Sequence, residues 1–183
     1  MCIRDSGKTG QTLVKTVLAN LFRVRDLRVV GWYSTNLLGN GDGAVLSDPA
    51  NAAGKVESKR RALAHILGYE DFEHVVRIDY YGPRGDRKEA WDTVDFEGWL
   101  GRRMALKLNW LGEDSILAAP LVVDAARLTA WAHSRGERGA LPWLGLYFKD
   151  PHGSSFHELG DQWRLLQARL LAGRAPAQGL PPA

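Results

Sequence analysis

Cysteine is almost absent: Cys2 is the only one in 183 residues. That excludes an internal disulfide framework and any cysteine-based metal centre within one chain, and it fits a reducing cytoplasm. The five histidines, His65, His74, His133, His152 and His157, show no metal-ligand spacing, so no metal site is expected. No uninterrupted apolar run approaches the roughly 20 residues of a membrane helix, and no apolar core of signal-peptide type is present. Neither a membrane nor a nucleic acid is expected as partner. The net charge is +3, and the arginines are scattered with short doublets such as Arg60-Arg61 and Arg102-Arg103. That pattern is a solvated basic surface without the aromatic–basic interleaving of a nucleic-acid binder. Lysine is scarce, 7 against 17 arginines, so each lysine invites a reason.

What remains is an ordinary globular composition, 45% hydrophobic and 25% charged. The length suits one compact domain and is short for a nucleotide-binding domain plus a separate substrate domain. Residues 1–6 read as translated sequencing-adapter sequence, the alternative being a native, poorly ordered N-terminus. Leu13, Val14, Val17, Leu18, Leu21 and Phe22 are spaced as one apolar stripe of a helix over 10–24. Leu27 to Tyr33 reads as a strand, 36–54 as a long Gly/Asn/Asp/Ala loop, and Lys55 to Leu67 as a helix stopped by Gly68. His74 to Tyr81 reads as a strand and residues 82–86 as a turn. Two strands around Val94–Phe96 and Met104–Trp110 should pair antiparallel across Gly101-Arg102. A helix from about Asp114 to Ser134, containing Pro120, should precede a strand over Leu141–Lys149 and a helix over Phe156–Leu171. The tail from Gly173 reads as disordered.

Four constellations could carry chemistry. Lys8-Thr9-Gly10-Gln11-Thr12 opens a helix, where free N–H groups and the helix dipole favour an anion; an ordinary capped helix is the competing reading. It lacks Walker spacing. Asn36-Leu37-Leu38-Gly39-Asn40-Gly41-Asp42-Gly43 follows a strand and is either a polar cradle or a plain turn. Lys55 and Lys59 share a helix face, Lys88 follows Gly85-Asp86, and Lys149 precedes Asp150-Pro151. Ammonium groups suit a phosphate or a developing enolate, although solvated surface lysines look the same in sequence. Glu113-Asp114-Ser115 is either a helix cap or a carboxylate aimed into a site at the strand ends.

Taken in order, these segments resemble the myo-inositol-1-phosphate synthase family. The resemblance rests on Thr9-Gly-Gln-Thr with Lys15, Leu38-Gly-Asn-Gly-Asp-Gly, Lys55-Val-Glu-Ser-Lys59, Ile66-Leu-Gly-Tyr, Gly85-Asp-Arg-Lys88, Asp114-Ser-Ile-Leu-Ala-Ala-Pro-Leu and Phe148-Lys-Asp-Pro151. It implies an α/β (α+β) fold: the end of a Rossmann-like NAD-binding domain over 7–35, then a mixed-sheet catalytic and oligomerisation domain over 36–172. The implied reaction converts D-glucose 6-phosphate into 1D-myo-inositol 3-phosphate by NAD-dependent oxidation, enolisation, aldol cyclisation and reduction. By the same resemblance, Thr9, Gly10, Gln11, Thr12, Asn40 and Lys59 hold the substrate phosphate. Lys55, Lys88, Lys149 and Asp114 are catalytic, and Asn36, Asp42, Asp86 and Ser115 touch NAD. A divalent or monovalent cation, a homotetramer and a cytoplasmic location go with it. The Gly-rich dinucleotide fingerprint is missing, so the expectation is a fragment inactive alone. The competing functions are another NAD-dependent sugar-phosphate or amino-acid-phosphate dehydrogenase and a non-catalytic phosphate- or nucleic-acid-binding module.

Overall fold

The computed structural model describes residues 7–46, 48 and 60–173. The expectations placed on residues 1–6, on Lys55 and Lys59, and on the tail beyond Gly173 lie outside them. The described elements are α1 (Gly10–Val24), β1 (Arg28–Leu38), α2 (Gly41–Leu46), the helical residues 60–67 (α3), β2 (Glu73–Tyr80), β3 (Arg87–Glu97), β4 (Arg103–Glu113), α4 (Asp114–Ser134) and α5 (Leu159–Ala172). Short 3-10 turns occupy Gly82–Arg84, Trp99–Gly101 and Pro142–Tyr147.

The four strands form one mixed sheet in the order β2-β1-β3-β4. β1 and β2 run parallel, whereas β1–β3 and β3–β4 are antiparallel. The expected hairpin across Gly101-Arg102 is therefore present. Because successive side chains alternate between faces, the register sorts the inner face into rows. Trp32 lies beside Val94 and Leu106, Ser34 beside Asp92 and Leu108, Asn36 beside Ala90 and Trp110, and Leu38 beside Lys88 and Gly112. The first row is apolar, and the three that follow toward the Lys88 end each carry a polar side chain. The expected domain boundary between residues 35 and 36 falls inside β1.

One apolar core sits where α1 and α3 cover this face, with Ala19, Phe22, Val29, Trp32, Leu63, Ile66 and Val94 buried together. A second unites the end of α4, the Pro142–Tyr147 turn and α5 through Ala132, Trp143, Leu144 and Leu166. Trp131 meets Trp143 edge-on at 6.0 Å, and the Arg169 guanidinium lies 4.8 Å from the Trp131 ring.

The structure corrects several expectations. α1 is helical where expected, but its buried side is Gln11, Thr12, Lys15, Thr16, Ala19 and Phe22. Of the expected stripe, Leu13, Val17 and Leu21 face outward, whereas Phe22 is buried and Leu18 packs against the core. Polar groups can share the buried side because Gln11, Lys15 and Thr16 find partners there; Thr16, for example, donates to the Thr12 carbonyl at 2.9 Å. The long loop from 36 is shortened at its start. β1 continues to Leu38, and Asn40 starts α2 by accepting from the Gly43 N–H through Oδ1 and from the Ala44 N–H through its carbonyl. Lys88 stands in β3 rather than in the preceding turn. The stretch expected as a strand over 141–149 is the Pro142–Tyr147 3-10 turn, with only Phe148 pairing, to Gly7. Pro142 offers no N–H to a ladder, and Gly145 lets the turn press against Pro151. The last helix begins at Leu159, not Phe156.

α4 also departs from the reading that no stretch approaches membrane-helix length. Its 21 residues are long and apolar enough to cross a bilayer by length and composition. Asp124 and Arg127, 3.8 Å apart near its middle, interrupt the uninterrupted run but leave the average apolar. Ile116, Val122 and Val123 are exposed in the single chain.

Candidate functional site

The site residues gather at the end of the sheet where β1 leaves and β3 begins. Lys88, the second residue of β3, lies across from Leu38 on β1 and Gly112 on β4. β4 then turns directly into α4, which brings Asp114 to Lys88; Nζ and Oδ1 are 3.3 Å apart and both side chains are about a fifth exposed. The turn before β3 is tied to the same helix start. The Asp114 N–H donates to the Asp86 carbonyl at 3.1 Å, and the Ser115 N–H and hydroxyl both donate to the Asp86 carboxylate. Ser115 chiefly, and Asn40 in addition, hold the Asp86 carboxyl below its usual range. Asn40, Asp86, Lys88, Asp114 and Ser115 thus form one continuous polar network drawn from four elements.

Gly39 makes this convergence possible. A Cβ there would lie 2.4 Å from the Tyr81 carbonyl and 2.6 Å from the Gly85 nitrogen, so only a glycine lets β1 pass this close to the turn before Lys88.

The start of α1 abuts the same corner. A Cβ on Gly10 would meet Trp110 Nε1 at 3.2 Å and Leu117 at 3.7 Å, and one on Gly112 would meet the same two side chains. Thr9 makes no side-chain cap bond, so the first N–H groups of α1 lack the usual side-chain acceptor. Just before it, the Lys8 N–H donates to the Tyr147 carbonyl at 2.7 Å and Gly7 bridges Phe148. Lys149 therefore follows directly on the segment that leads into α1. The Thr9–Gly10 backbone, Lys88, Asp114, Asn40 and the Lys149 segment share one end of the fold.

Other expected site residues are placed differently. Gln11 is buried, and its Nε2 donates to Asp92 Oδ2 at 2.8 Å. Thr12 is also buried. The Gln11 side chain ties α1 to the sheet, which leaves the backbone as the part of this turn most open to an anion. Asn36 is 2% exposed on the inner sheet face, with Nδ2 reaching the Arg77 carbonyl at 3.5 Å. Asp42 is exposed on α2. Of the four residues expected to touch NAD, Asn36 is enclosed and Asp86 and Ser115 engage each other. Among the described residues, no group of three or more His, Cys, Asp or Glu could hold a metal ion.

The sequence reading missed a buried hub at Asp92. Its carboxylate accepts from Gln11, from Trp32 Nε1 at 2.8 Å and from Ser34 Oγ at 2.6 Å, with Lys15 Nζ 3.4 Å away. Lys15 also donates to Ser34 Oγ and lies 3.4 Å from His74 Nε2. Burial lowers the Lys15 ammonium to about 8, while Asp92 works in the opposite direction. The available signal was a carboxylate at the period-two position between Ala90 and Val94, where an apolar face was otherwise expected.

Comparison with known proteins gives a consistent result. The family model described as myo-inositol-1-phosphate synthase matches residues 10–115. Inositol-3-phosphate synthase 1 of Bacteroides thetaiotaomicron is 45% identical over 174 residues, covering 89% of this chain and 41% of that protein. The Homo sapiens inositol-3-phosphate synthase 1 is 37% identical over 133 residues, covering 68% of this chain and 24% of that protein. Among solved structures, inositol-3-phosphate synthase from Caenorhabditis elegans superposes with a TM-score of 0.81 at 27% identity, covering 98% of this chain and 41% of the other. A myo-inositol-1-phosphate synthase-related protein from Thermotoga maritima gives 0.78 at 27% identity, covering 94% and 45%. The chain therefore spans about two fifths of the length of its most fully covered relatives.

Proposed function

Because the chain belongs to the myo-inositol-1-phosphate synthase family, we propose that it is the catalytic portion of an inositol-3-phosphate synthase, an isomerase. The whole protein would convert D-glucose 6-phosphate into 1D-myo-inositol 3-phosphate. The observation that carries this reading is that the uncapped start of α1 at Gly10 packs on Trp110 and Leu117 beside Gly112, which lies opposite Lys88, the partner of Asp114. It sets a cation beside a backbone anion site, which is what a phosphorylated, enolising sugar requires.

In this reading the N–H groups at Thr9 and Gly10 anchor the phosphate, with Asn40 at the far side of the corner. Binding energy from that remote anchor folds the open-chain sugar toward a cyclisable shape. Lys88 stands where negative charge grows on an oxygen during enolisation, and Asp114 fixes its ammonium in place. Lys149 acts as a second cation. Lys55 and Lys59, the catalytic and phosphate-binding lysines implied by the family resemblance, belong to the same proposal. NAD is the family's hydride carrier, supplying oxidation and the return reduction. The NAD contacts that the family resemblance gives to Asn36, Asp42, Asp86 and Ser115 belong to the same proposal.

The proposed setting is a cytoplasmic homotetramer. The exposed apolar side of α4, including Ile116, Val122 and Val123, supports burial against protein, since contiguous exposed apolar surface marks an interaction face. Residues 7–35 are read as the end of the relatives' NAD-binding domain.

The test is a chimera in which residues 7–172 replace the matching segment of the Bacteroides thetaiotaomicron relative. Formation of inositol phosphate from glucose 6-phosphate with NAD supports the reading. A folded chimera that instead accumulates NADH stoichiometrically would favour a dehydrogenase and overturn it.

A further inference from the structure

We propose that the stacked pair His65–His157 is a pH-sensitive latch, which holds the segment from Lys149 to His157 against α3 and parts on acidification. The two rings lie 4.2 Å apart and within 4° of parallel. A second tie joins the same two elements, because Arg61 Nη2 lies 2.8 Å from Asp150 Oδ2. Arg61 and His65 are four residues apart on α3 and share one face of that helix. The inference is independent of the phosphate reading of α1.

Two charged imidazolium rings at this separation repel, whereas a neutral pair stacks without that penalty. The surroundings of His157 weigh further against a proton. Burial opposes it most, His65 on α3 and Lys8 ahead of α1 oppose it by their charge, and Asp150 alone favours it. That carboxylate is already engaged by Arg61. The adjoining Glu158 is taken up by Arg23 of α1. From α5 comes the neutral Gln162, whose Nε2 donates to the neighbouring Phe156 carbonyl at 2.8 Å. His157 Nδ1 is enclosed and has no hydrogen-bond partner. A proton on it would create an enclosed N–H without an acceptor. Separation from His65 removes these costs together.

The parting can be local because the rest of the fold is held elsewhere. Leu63, Ile66 and Leu67 fix α3 in the first core, while Leu144 and Leu166 join the Pro142–Tyr147 turn to α5 in the second. Between these anchors His152, Gly153, Ser155 and Phe156 are exposed, which places the segment among the parts that open at little cost. Because the segment begins at Lys149, closure of the latch fixes the backbone that carries that lysine. Between 6.5 and the lower value of His157 in the closed latch, opening takes up one proton. The ratio of open to closed forms therefore rises about tenfold per pH unit as the pH falls through that window.

The experiment follows the isotope-labelled 183-residue chain by NMR from pH 8 to 4.5. It reads the nuclear Overhauser contact between the His65 and His157 rings together with the His157 C–H titration. The expected result is loss of the ring contact in step with protonation of His157. The edge-on contact of Trp131 with Trp143 in the second core should persist. His157→Phe supplies a ring that stacks but takes no proton, so its contact with His65 should survive to pH 4.5. His65→Phe removes the opposing charge and should shift the His157 midpoint upward. A wild-type ring contact that persists after His157 has titrated overturns the latch. So does loss of contact in His157→Phe at the same pH as in wild type, or an unmoved His157 midpoint in His65→Phe. Should His157→Phe not fold, His65→Phe, altered at an exposed position of α3, takes its place. Its ring contact should also last to pH 4.5, and loss at the wild-type pH would overturn the proposal.

Discussion

Lys15 Nζ stands 3.4 Å from Asp92 Oδ1, with the two side chains 3% and 1% exposed. This pair joins α1 to the centre of the sheet. Asp92 also satisfies Gln11, Trp32 and Ser34, so one carboxylate holds four donors from two elements. Removing it leaves a buried ammonium and three neutral donors without their acceptor. Asp92→Ala is expected to lose about 3–5 kcal/mol of stability, read as a lowered midpoint in urea unfolding. The double variant Lys15→Met with Asp92→Leu should recover a large part of that loss, since it removes both charges together. Equal instability of the single and double variants would contradict the pairing.

Lys15 also gives the protein an alkaline signature. Its ammonium falls from 10.5 to about 8 on folding, chiefly through burial. Below about pH 8 both the folded and unfolded chains carry this proton, and the cost of the buried charge is fully present. Between about 8 and 10.5 only the unfolded chain holds it, so unfolding takes up a proton and stability rises with pH. The rise from this group is up to about 3 kcal/mol. Other groups titrate in the same window, so the measurement is the difference between wild type and Lys15→Met in urea unfolding at pH 7.5 and 10. The wild type should gain relative to the variant, and a parallel pH dependence would refute the assignment.

His157 predicts the opposite end of the scale. Its ring stacks on His65 at 4.2 Å and 4°, joining α3 to the segment that follows Lys149. Burial first, then the His65 and Lys8 charges, lower its ionisation below 6.5, against the opposing Asp150. Between its folded value and 6.5 the unfolded chain binds the additional proton, so this contribution to stability is present above 6.5 and lost as the pH falls below it. Histidine C–H resonances followed from pH 8 to 4.5 should show His157 with its midpoint below 6.5. A His157 midpoint at or above 6.5 would contradict its burial against His65.

The helices α1 and α4 and the β3–β4 hairpin were legible because their signals are local: periodicity, an opening Asp-Ser, and glycine at a turn. The Leu141–Lys149 stretch was not, because its apolar side chains pack on Leu166 of α5, and burial by a distant helix looks the same in sequence as burial in a sheet. The inverted face of α1 was hidden for a related reason. Lys15 and Gln11 can lie inward only because Asp92, far along the chain, is there to receive them. At the site, Lys88 and Asp114 were recognisable from their family motifs. The Asp92 hub was not, because Gln11, Lys15, Trp32 and Ser34 gather around that carboxylate only after folding.

Gly39 is predicted to be the least replaceable glycine near the site. A methyl there would lie 2.4 Å from the Tyr81 carbonyl and 2.6 Å from the Gly85 nitrogen. Both are backbone atoms and cannot rotate away, so the turn before Lys88 would have to shift. Gly39→Ala should cost about 2 kcal/mol or more. Gly41→Ala, where a Cβ meets nothing within 4 Å, should change stability by less than about 1 kcal/mol. Similar thermal midpoints for the two variants would show that the turn is not held by this contact.

Lys88 separates function from folding most directly. Its contact with Asp114 is 3.3 Å and partly solvated, and ion pairs of this kind contribute only about 0–1 kcal/mol. Lys88→Ala should therefore leave the unfolding midpoint within a few degrees of wild type. In the chimera described above, the same substitution removes the cation placed where enolate charge develops, and the rate of inositol phosphate formation should drop at least about a hundredfold. Lys88→Arg keeps the charge but replaces a compact ammonium with a planar fork, so it should restore little of that activity. Asp114→Asn should fall between wild type and Lys88→Ala, because it loosens the ammonium without removing it. Turnover close to wild type in Lys88→Ala, with folding intact, would take Lys88 out of the chemistry and move the proposed role to Lys149.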